Sequence, residues 1–330
     1  MAKNDWDKVD WDRLQRLRSL FLDPSSIEGP YWRDEEDLAH YDLTFATRIG
    51  WKWDAVIGEM LRRGWRPTST QIYDWGCGTG IATRCVLAAF PEHPWENVTV
   101  WDHSPLATDF TRKRITEDHP DIQTRISPPD QLESGCIVLV SHTLGEASEE
   151  DLRVLWENVR KAQSLILVEP GTHKSSRAVI AVREALKNNF EVIAPCTHAR
   201  KCGLLAEENS RHWCHHFGRV PTKAFKDANW AGFSRTMGID LRNLPYSFLA
   251  LEKTKSGSVS VKPSRILGRP RFYKGYCRIL SCQASGVFEY DLPKRADKVL
   301  WKKMKKDRHT GLFEWDLQGH RIADGLEIKA

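Results

Sequence analysis

The residues best suited to chemistry form one glycine-rich loop, Asp74-Trp75-Gly76-Cys77-Gly78-Thr79-Gly80. Glycines let the backbone turn tightly and approach a ligand, and the N-terminus of a following helix offers free N–H groups to a carboxylate. The spacing Asp-x-Gly-x-Gly-x-Gly differs from the Gly-x-Gly-x-x-Gly of dinucleotide-binding proteins. The pattern therefore predicts a ligand-binding turn between a strand and a helix.

This loop resembles motif I of the class I S-adenosylmethionine-dependent methyltransferases. In that family the last residue of the next strand is acidic and holds the ribose hydroxyls; here that residue is Asp102, 22 residues after Gly80. The resemblance implies S-adenosylmethionine as the cofactor. The cofactor-binding residues that it implies are Asp74, Gly76, Cys77, Gly78, Gly80, Asp102, His103 and Ser141. The alternative is a Rossmann-like domain that binds no cofactor, because fold alone does not fix function.

Residues that would identify a particular transfer reaction are missing from the sequence. No Asn-Pro-Pro-Tyr follows the apolar run that ends at Ser141, and no cysteine lies in a nucleophile motif for carbon-5 methylation. His142 comes directly after that run and could act as a general base. The alternative is a structural histidine that is hydrogen-bonded to a loop carbonyl. The sequence predicts binding of the methyl donor and leaves the catalytic residue open.

Three of the eight cysteines lie close together in a histidine-rich segment. Cys196, Cys202 and Cys214 are separated by five and eleven residues. Paired zinc ligands usually have about two to four intervening residues, whereas iron–sulfur clusters accept thiolates from scattered positions. Cys282, ahead of Cys277, could supply a fourth thiolate. The pattern predicts metal binding, with zinc, an iron–sulfur cluster and free thiols as the alternatives.

Positive charge is concentrated near the C-terminal end of the sequence. The net charge is +5, but residues 253–308 contain 16 Lys or Arg and only four Asp or Glu. This segment predicts a polyanionic partner, with nucleic acid ahead of a membrane, and a solvated charged surface is the alternative. No stretch approaches the roughly 20 apolar residues of a membrane span, and the N-terminus is polar. We expect a cytoplasmic protein without membrane contact, acting as a monomer.

Strands and helices alternate through the middle of the chain. Apolar runs at 71–75, 98–102, 136–141 and 164–169 predict buried parallel strands, and the segments between them predict helices. This alternation predicts a doubly wound α/β sheet that binds ligands at the strand C-termini. The predicted organisation has four parts: a helical N-terminal cap at 1–70, the cofactor-binding core at 71–193, a cysteine-rich insertion at 194–253, and a basic β-hairpin and tail at 254–330.

Several segments together resemble one family. They are the glycine loop, Ser141-His142-Thr143-Leu144-Gly145-Glu146, Leu167-Val168-Glu169-Pro170-Gly171-Thr172, the segments around Cys196 and Cys214, Tyr246-Ser247-Phe248-Leu249-Ala250, Arg265-Ile266-Leu267 and Cys282. The set is similar to the methyltransferase-like family of small-ribosomal-subunit proteins, which is known from mitochondrial ribosome assembly factors and their bacterial relatives. It covers about residues 70–295. Gly203 departs from the family pattern, which usually has proline there.

This resemblance implies a function and a set of site residues. The implied function is an rRNA methyltransferase acting on the small ribosomal subunit or its RNA, and the alternative is a non-catalytic assembly factor that binds rRNA. It favours a 4Fe–4S cluster over zinc, held by Cys196, Cys202, Cys214 and Cys282. The phosphate contacts expected with such a partner are Arg265, Arg269, Arg271, Lys274 and Arg278, with Tyr273 and Tyr276 placed to stack on bases.

Overall fold

A computed structural model describes residues 6–23, 31–253 and 263–329. The chain divides into two compact units. The first comprises Met1–Gly58, Pro67–Val168 and Gly218–Leu244, and the second comprises Glu59–Arg66, Glu169–Phe217 and Pro245–Ala330. In the described residues, no helix combines the length and apolar character needed to cross a membrane.

The N-terminal part of the first unit is helical, as predicted. Helices α1 (Trp11–Leu22), α2 (Glu35–Tyr41) and α3 (Thr47–Arg62) follow one another, and one π-helical turn precedes α3. Asp10 caps α1 by accepting hydrogen bonds from two N–H groups of its first turn. Apolar residues of α1 and α2 are buried in an aromatic core that also includes helix α8 (Ala228–Met237). Burial of these apolar residues stabilises α1 and α2, which as isolated helices would be marginally stable in water.

The first unit also contains five parallel strands in the order β3-β2-β1-β4-β5. The strands are β1 (Gln71–Trp75), β2 (Asn97–Trp101), β3 (Gln123–Ile126), β4 (Ile137–Ser141) and β5 (Ser164–Pro170). The helices between them are α4 (Ile81–Ala89), α5 (Pro105–Asp118) and α6 (Glu149–Val159). This order confirms the predicted doubly wound sheet. The order in which successive strands are added to the sheet reverses between β1 and β4, and such sheets bind ligands at that point.

The second unit begins with helix α7 (His173–Leu186) and three antiparallel strands. Strands β6 (Glu191–Ala194) and β7 (His216–Phe217) both pair antiparallel with β8 (Pro245–Glu252). The long segment between β6 and β7 carries three of the clustered cysteines and contains only short 3-10 turns. Strand β8 contains the segment Tyr246-Ser247-Phe248-Leu249-Ala250.

A closed barrel of five strands forms the C-terminal part of the second unit, in the order β10-β11-β13-β12-β9. Its strands are β9 (Ser264–Phe272), β10 (Tyr276–Gln283), β11 (Gly286–Pro293), β12 (Leu312–Gln318) and β13 (Arg321–Glu327), with helix α9 (Lys298–Lys305) between β11 and β12. The predicted hairpin is β10–β11. The predicted tail instead contains α9, β12 and β13, which complete the barrel.

Candidate cofactor site and cysteine cluster

The three glycines of the loop after β1 adopt left-handed backbone conformations, with φ angles of 68°, 52° and 71° at Gly76, Gly78 and Gly80. A β-carbon at Gly76 would overlap the side chain of Thr143, and one at Gly80 would lie 2.6 Å from Cγ2 of Thr111. At Gly78 nothing lies within 4 Å of that position. The loop is therefore packed at both ends and open at its centre, where its backbone can approach a ligand.

Asp102 follows β2 and faces this loop. Its Oδ2 accepts a hydrogen bond from the N–H of Gly78 at 3.0 Å, and its Oδ1 accepts one from the N–H of Ser104 at 2.9 Å. Burial raises the pKa of the carboxyl, and the two N–H donors oppose that rise. Each oxygen keeps a second lone pair. The carboxylate is thus held rigidly beside Gly78 and can accept further hydrogen bonds from hydroxyl groups.

Asp74 has a different role from Asp102, because its side chain is fully buried. Its Oδ2 accepts a hydrogen bond of 2.7 Å from the hydroxyl of Thr83, in the first turn of α4, whereas its Oδ1 has no hydrogen-bond partner among the described residues. Burial raises the pKa of Asp74 to about 7. The residue ties the end of β1 to α4. Thr83, Thr111 and Thr143 carried no sequence signal, because no motif places a threonine at these positions.

Ser141 is the last residue of β4, and His142 follows it. The hydroxyl of Ser141 accepts a hydrogen bond of 2.9 Å from Nε1 of Trp53, on α3. Nε2 of His142 lies 3.2 Å from Nζ of Lys52, and burial together with this ammonium group lowers the pKa of His142 well below its usual range. An ammonium group can only donate, so Nε2 is the acceptor and the imidazole is neutral. Lys52 therefore uses the lone pair through which His142 would act as a base.

His103 contacts residues outside the glycine loop. Its ring is exposed, stacks edge-on against Trp101, and has Nε2 at 3.2 Å from Oδ2 of Asp151, at the start of α6. Cys77 is buried within the loop, and burial raises the pKa of its thiol well above the ordinary value. Of the predicted cofactor residues, the structure therefore brings Gly78 and Asp102 into direct contact and places His103 on the surface.

The four predicted metal ligands lie close to one another in the second unit. Cys202 and Cys282 belong to one buried cluster, and Cys214 packs against it. Burial and the neighbouring thiols of Cys196, Cys282 and Cys202 raise the pKa of Cys214. Cys277, the less favoured alternative for the fourth ligand, lies instead in the apolar core of the barrel. The two cysteines of β10 thus face opposite sides of the strand.

Hydrogen-bond donors face several of these sulfur atoms. Nε of Arg183 donates to Sγ of Cys196 at 3.1 Å, and the Nε2 atoms of His216 and His198 lie 3.7 Å from the sulfurs of Cys214 and Cys282 respectively. Such donors stabilise thiolates, which are the forms that bind metals. Within residues 6–23, 31–253 and 263–329, however, no group of three or more His, Cys, Asp or Glu side chains has a geometry that would hold a metal ion as it stands.

The structure explains why residue 203 is glycine, where the family pattern usually has proline. A β-carbon there would lie 2.9 Å from the backbone nitrogen of Val287 and 3.0 Å from the carbonyl carbon of Gly286. The segment after Cys202 is therefore pressed against the β10–β11 turn more closely than a residue with a side chain would allow. This contact brings Cys202 next to the strand that carries Cys282.

Arg265 does not lie on the predicted RNA-binding surface, because its side chain is buried. Its guanidinium donates to both carboxylate oxygens of Glu59, at 2.5 and 2.8 Å, and lies 3.1 Å from Nδ1 of His216. Arg63 shares the same carboxylate. Only 5% of Arg265 is exposed, so the expected phosphate contact from this residue is wrong. Its position instead connects Glu59 and Arg63 to the cysteine cluster through His216.

The other four predicted RNA contacts are on the surface of the barrel. Arg271 and Arg278 are opposite each other on β9 and β10, Lys274 lies in the turn between these strands, and Arg269 stacks over Phe217 with 3.8 Å to the ring centroid. Arg278 is hydrogen-bonded to Asp291. Arg271, Lys274 and Arg278 therefore share one end of the β9–β10 surface.

The doubly wound sheet, the left-handed glycine loop and the acid after β2 define an α/β domain of the class I methyltransferase type. The family model described as "Mitochondrial small ribosomal subunit Rsm22" matches residues 57–312, and the chain belongs to this family. Among solved structures, it is similar to magnesium protoporphyrin IX methyltransferase from Synechocystis PCC 6803 with bound SAH, at 13% identity over 74% of this chain and 94% of that chain, with a TM-score of 0.38. It is also similar to the plantazolicin methyltransferase BamL, at 10% identity over 74% and 97% of the two chains, with a TM-score of 0.37. No curated protein sequence matches the chain.

Proposed function

We propose that this chain is an S-adenosylmethionine-binding, methyltransferase-like protein that acts on the small ribosomal subunit or its rRNA. The observation that carries the cofactor proposal is the contact between Asp102 and the N–H of Gly78, beside the open centre of the loop. This places a carboxylate with free lone pairs next to exposed backbone, which suits a ligand with vicinal hydroxyls and a carboxylate. The name of the matching family supports the ribosomal partner.

In this proposal the side chains around the loop bind and orient the methyl donor. Asp102 accepts hydrogen bonds from the ribose hydroxyls, and the N–H groups at the start of α4 face the carboxylate. Ser141 and His142 lie at the end of β4, the strand next to β1, and burial together with Lys52 keeps His142 neutral. When bound, S-adenosylmethionine would supply an activated methyl group.

The cofactor proposal is tested by calorimetric titration of S-adenosylmethionine into the full chain. We expect Asp102→Ala to weaken binding by at least about tenfold, because a charged hydrogen-bond acceptor contributes about 1.5–3 kcal/mol. Asp109→Ala is the matched control, since Asp109 is an exposed aspartate on α5. Wild-type protein that fails to bind the cofactor would refute the proposal.

A non-catalytic assembly factor is the second candidate, and the Lys52–His142 contact favours it because the predicted general base, His142, has its lone pair occupied. Transfer of a labelled methyl group into small-subunit RNA, lost in Asp102→Ala, would identify an enzyme. Binding to the subunit that survives this substitution, without methyl incorporation, would identify an assembly factor.

We further propose that Cys196, Cys202, Cys214 and Cys282 hold a 4Fe–4S cluster, with zinc as the alternative. The proximity of the four thiols and the donors from Arg183, His198 and His216 support this proposal. The cluster would connect the cysteine-rich segment to β10, so loss of one thiolate should cost folding energy as well as metal.

Anaerobic purification followed by iron and zinc analysis tests the metal proposal. We expect about four iron atoms per chain and absorption near roughly 400 nm. Cys282→Ala should lose iron, whereas Cys277→Ala should retain it because Cys277 lies inside the barrel. Stoichiometric zinc without iron would refute the iron–sulfur assignment.

A further inference from the structure

The barrel of the second unit has a topology with a known binding face. Numbered from its own first strand, β9, the barrel runs 1-2-3-5-4 and closes back on strand 1, and strands 3 and 5 are parallel. Helix α9 lies between strands 3 and 4, and its residues Leu300 and Met304 are buried in the barrel core. This is the arrangement of the OB-fold, a Greek-key barrel that binds oligonucleotides or oligosaccharides on strands 2 and 3 and the loops 1–2 and 4–5.

We propose that this barrel binds single-stranded RNA on the open end of its β9–β10–β11 face. The inference rests on the proposed action on ribosomal RNA and adds that the bound segment is unpaired. The proposed binding site is one surface, formed by the residues of β9, β10 and β11 near the β9–β10 turn together with the β12–β13 turn. We call this the platform surface, and its residues are Arg271, Tyr273, Lys274, Tyr276, Arg278 and Arg321.

The cysteine cluster covers the other end of the same face. Along β10, Cys277 and Ile279 point into the barrel core, so Tyr276, Arg278, Leu280 and Cys282 point outward. Of these, Leu280 and Cys282 pack in the apolar cluster that contains Cys202. Tyr276 and Arg278 remain partly exposed. A ligand can therefore reach only the half of the face that the platform surface occupies.

Two tyrosines on the platform surface are arranged as a stacking site. The rings of Tyr273 and Tyr276 are stacked, with centroids 4.9 Å apart and planes 14° from parallel. The guanidinium of Arg278 lies 5.9 Å from each ring centroid. Tyr273 is 44% exposed, so one ring face is available to a base. Unpaired bases stack on such side chains, whereas bases inside a duplex are already stacked on one another.

The charge of the platform surface favours a phosphate backbone over a neutral oligosaccharide. Four cations lie on it: Arg271, Lys274, Arg278 and Arg321. Among the described residues, the carboxylates hydrogen-bonded to these cations are Glu289, which accepts from Arg271, and Asp291, which accepts from Arg278. The β12–β13 turn joins this surface because the N–H of Asp291 donates to the carbonyl of His320 at 3.0 Å. The net charge is therefore positive beside the aromatic rings, as single-strand binding requires.

The test is fluorescence anisotropy of the full chain with a labelled RNA of about 12 nucleotides, offered as a single strand and as a duplex. We expect tighter binding of the single strand. The Tyr273→Ala/Tyr276→Ala variant should bind it about tenfold or more weakly, because each base–aromatic stack is worth roughly a factor of ten. Phe225→Ala, which removes an exposed ring from the first unit, should bind like wild type.

Charge and folding are tested separately. Arg271→Ala/Arg278→Ala should lower the slope of log affinity against log salt by about 1.4, at roughly 0.7 per lost phosphate contact. Arg153→Ala, an exposed arginine that is also paired with two carboxylates, should leave the slope unchanged. Tyr273→Phe/Tyr276→Phe keeps both rings and should retain binding, which separates loss of stacking from loss of folding.

Three results would overturn the inference: equal affinity for duplex and single strand, wild-type affinity in the double alanine variant, or binding of a neutral oligosaccharide with no binding of RNA. S-adenosylmethionine titration of the same preparations keeps the two proposals apart. If the wild-type chain binds S-adenosylmethionine but does not bind RNA, only the barrel assignment is refuted. Single-strand preference without any cofactor binding refutes only the cofactor site.

Discussion

Replacing Asp74 by asparagine should make the protein more stable at alkaline pH and change the pH dependence of its stability. The carboxyl is fully buried, its pKa is raised to about 7 by that burial, and its one hydrogen bond comes from Thr83. Asparagine has the same shape and can accept the same hydrogen bond, but it cannot ionise. The substitution removes the cost of a buried charge, whereas any cost of the new buried amide N–H groups is the same at every pH.

The size of the effect follows from the difference between the folded and unfolded pKa values. In the unfolded chain the carboxyl ionises near pH 3.8, whereas in the folded chain it keeps its proton until about pH 7. The stability that this site contributes is complete below the unfolded pKa and is lost as the pH rises through the folded pKa. Between pH 5 and pH 8 this loss amounts to roughly 3 kcal/mol in the wild type and is absent in Asp74→Asn.

Urea unfolding at several pH values, followed by far-ultraviolet circular dichroism, measures this difference directly. The free energy of unfolding of Asp74→Asn should exceed that of wild type by an amount that grows by roughly 3 kcal/mol from pH 5 to pH 8. Asp109→Asn, at an exposed position, should follow the wild-type profile. Parallel profiles for Asp74→Asn and wild type would refute the reasoning, because they would mean that Asp74 is already ionised in the folded protein.

Two further predictions concern the second unit. Glu59→Gln removes the carboxylate from the buried Arg265 and should lower the free energy of unfolding by about 3–5 kcal/mol in urea titration; a loss under about 1 kcal/mol would contradict the buried pair. Gly203→Ala should destabilise the protein by about 1–3 kcal/mol and reduce its metal content, because the new methyl group would meet the backbone of Val287. Gly232→Ala, at an open position in α8, is the matched control and should not destabilise it.

The first unit could be predicted from sequence because its signals are local. The strand at Gln71–Trp75 and the glycine loop after it are continuous in the chain, and the buried strands β4 and β5 are uninterrupted apolar runs. Positive φ angles at glycines need no distant partner. Even so, the burial of Asp74 and its bond to Thr83 had no signal, since motif spacing does not reveal how deeply a carboxylate is buried.

The prediction for Arg265 failed because the partner that decides its role is far away in the chain. Arg265 lies in a basic segment and looks like a phosphate ligand, but its carboxylate partner Glu59 is 206 residues earlier. For β12 a local signal did exist, because apolar residues alternate with charged or polar ones along Leu312–Gln318, although the prediction left this segment in the tail. For Cys277 and Cys282 a signal did exist: they are five positions apart on one strand, and an odd spacing puts them on opposite faces.

Because the glycine loop is open at its centre and packed at its ends, a substitution at the centre should impair ligand binding alone, whereas one at either end should impair folding. Asparagine adopts left-handed backbone angles more readily than most residues, and at Gly78 nothing lies within 4 Å of the position of its β-carbon. A cell that carries Gly78→Asn should accumulate the protein normally and lose only the functions that depend on the cofactor. The same change at Gly76 or Gly80 meets Thr143 or Thr111 and should deplete the protein itself. Genetic complementation by these three alleles would therefore distinguish a need for the methyl donor from a need for the folded chain.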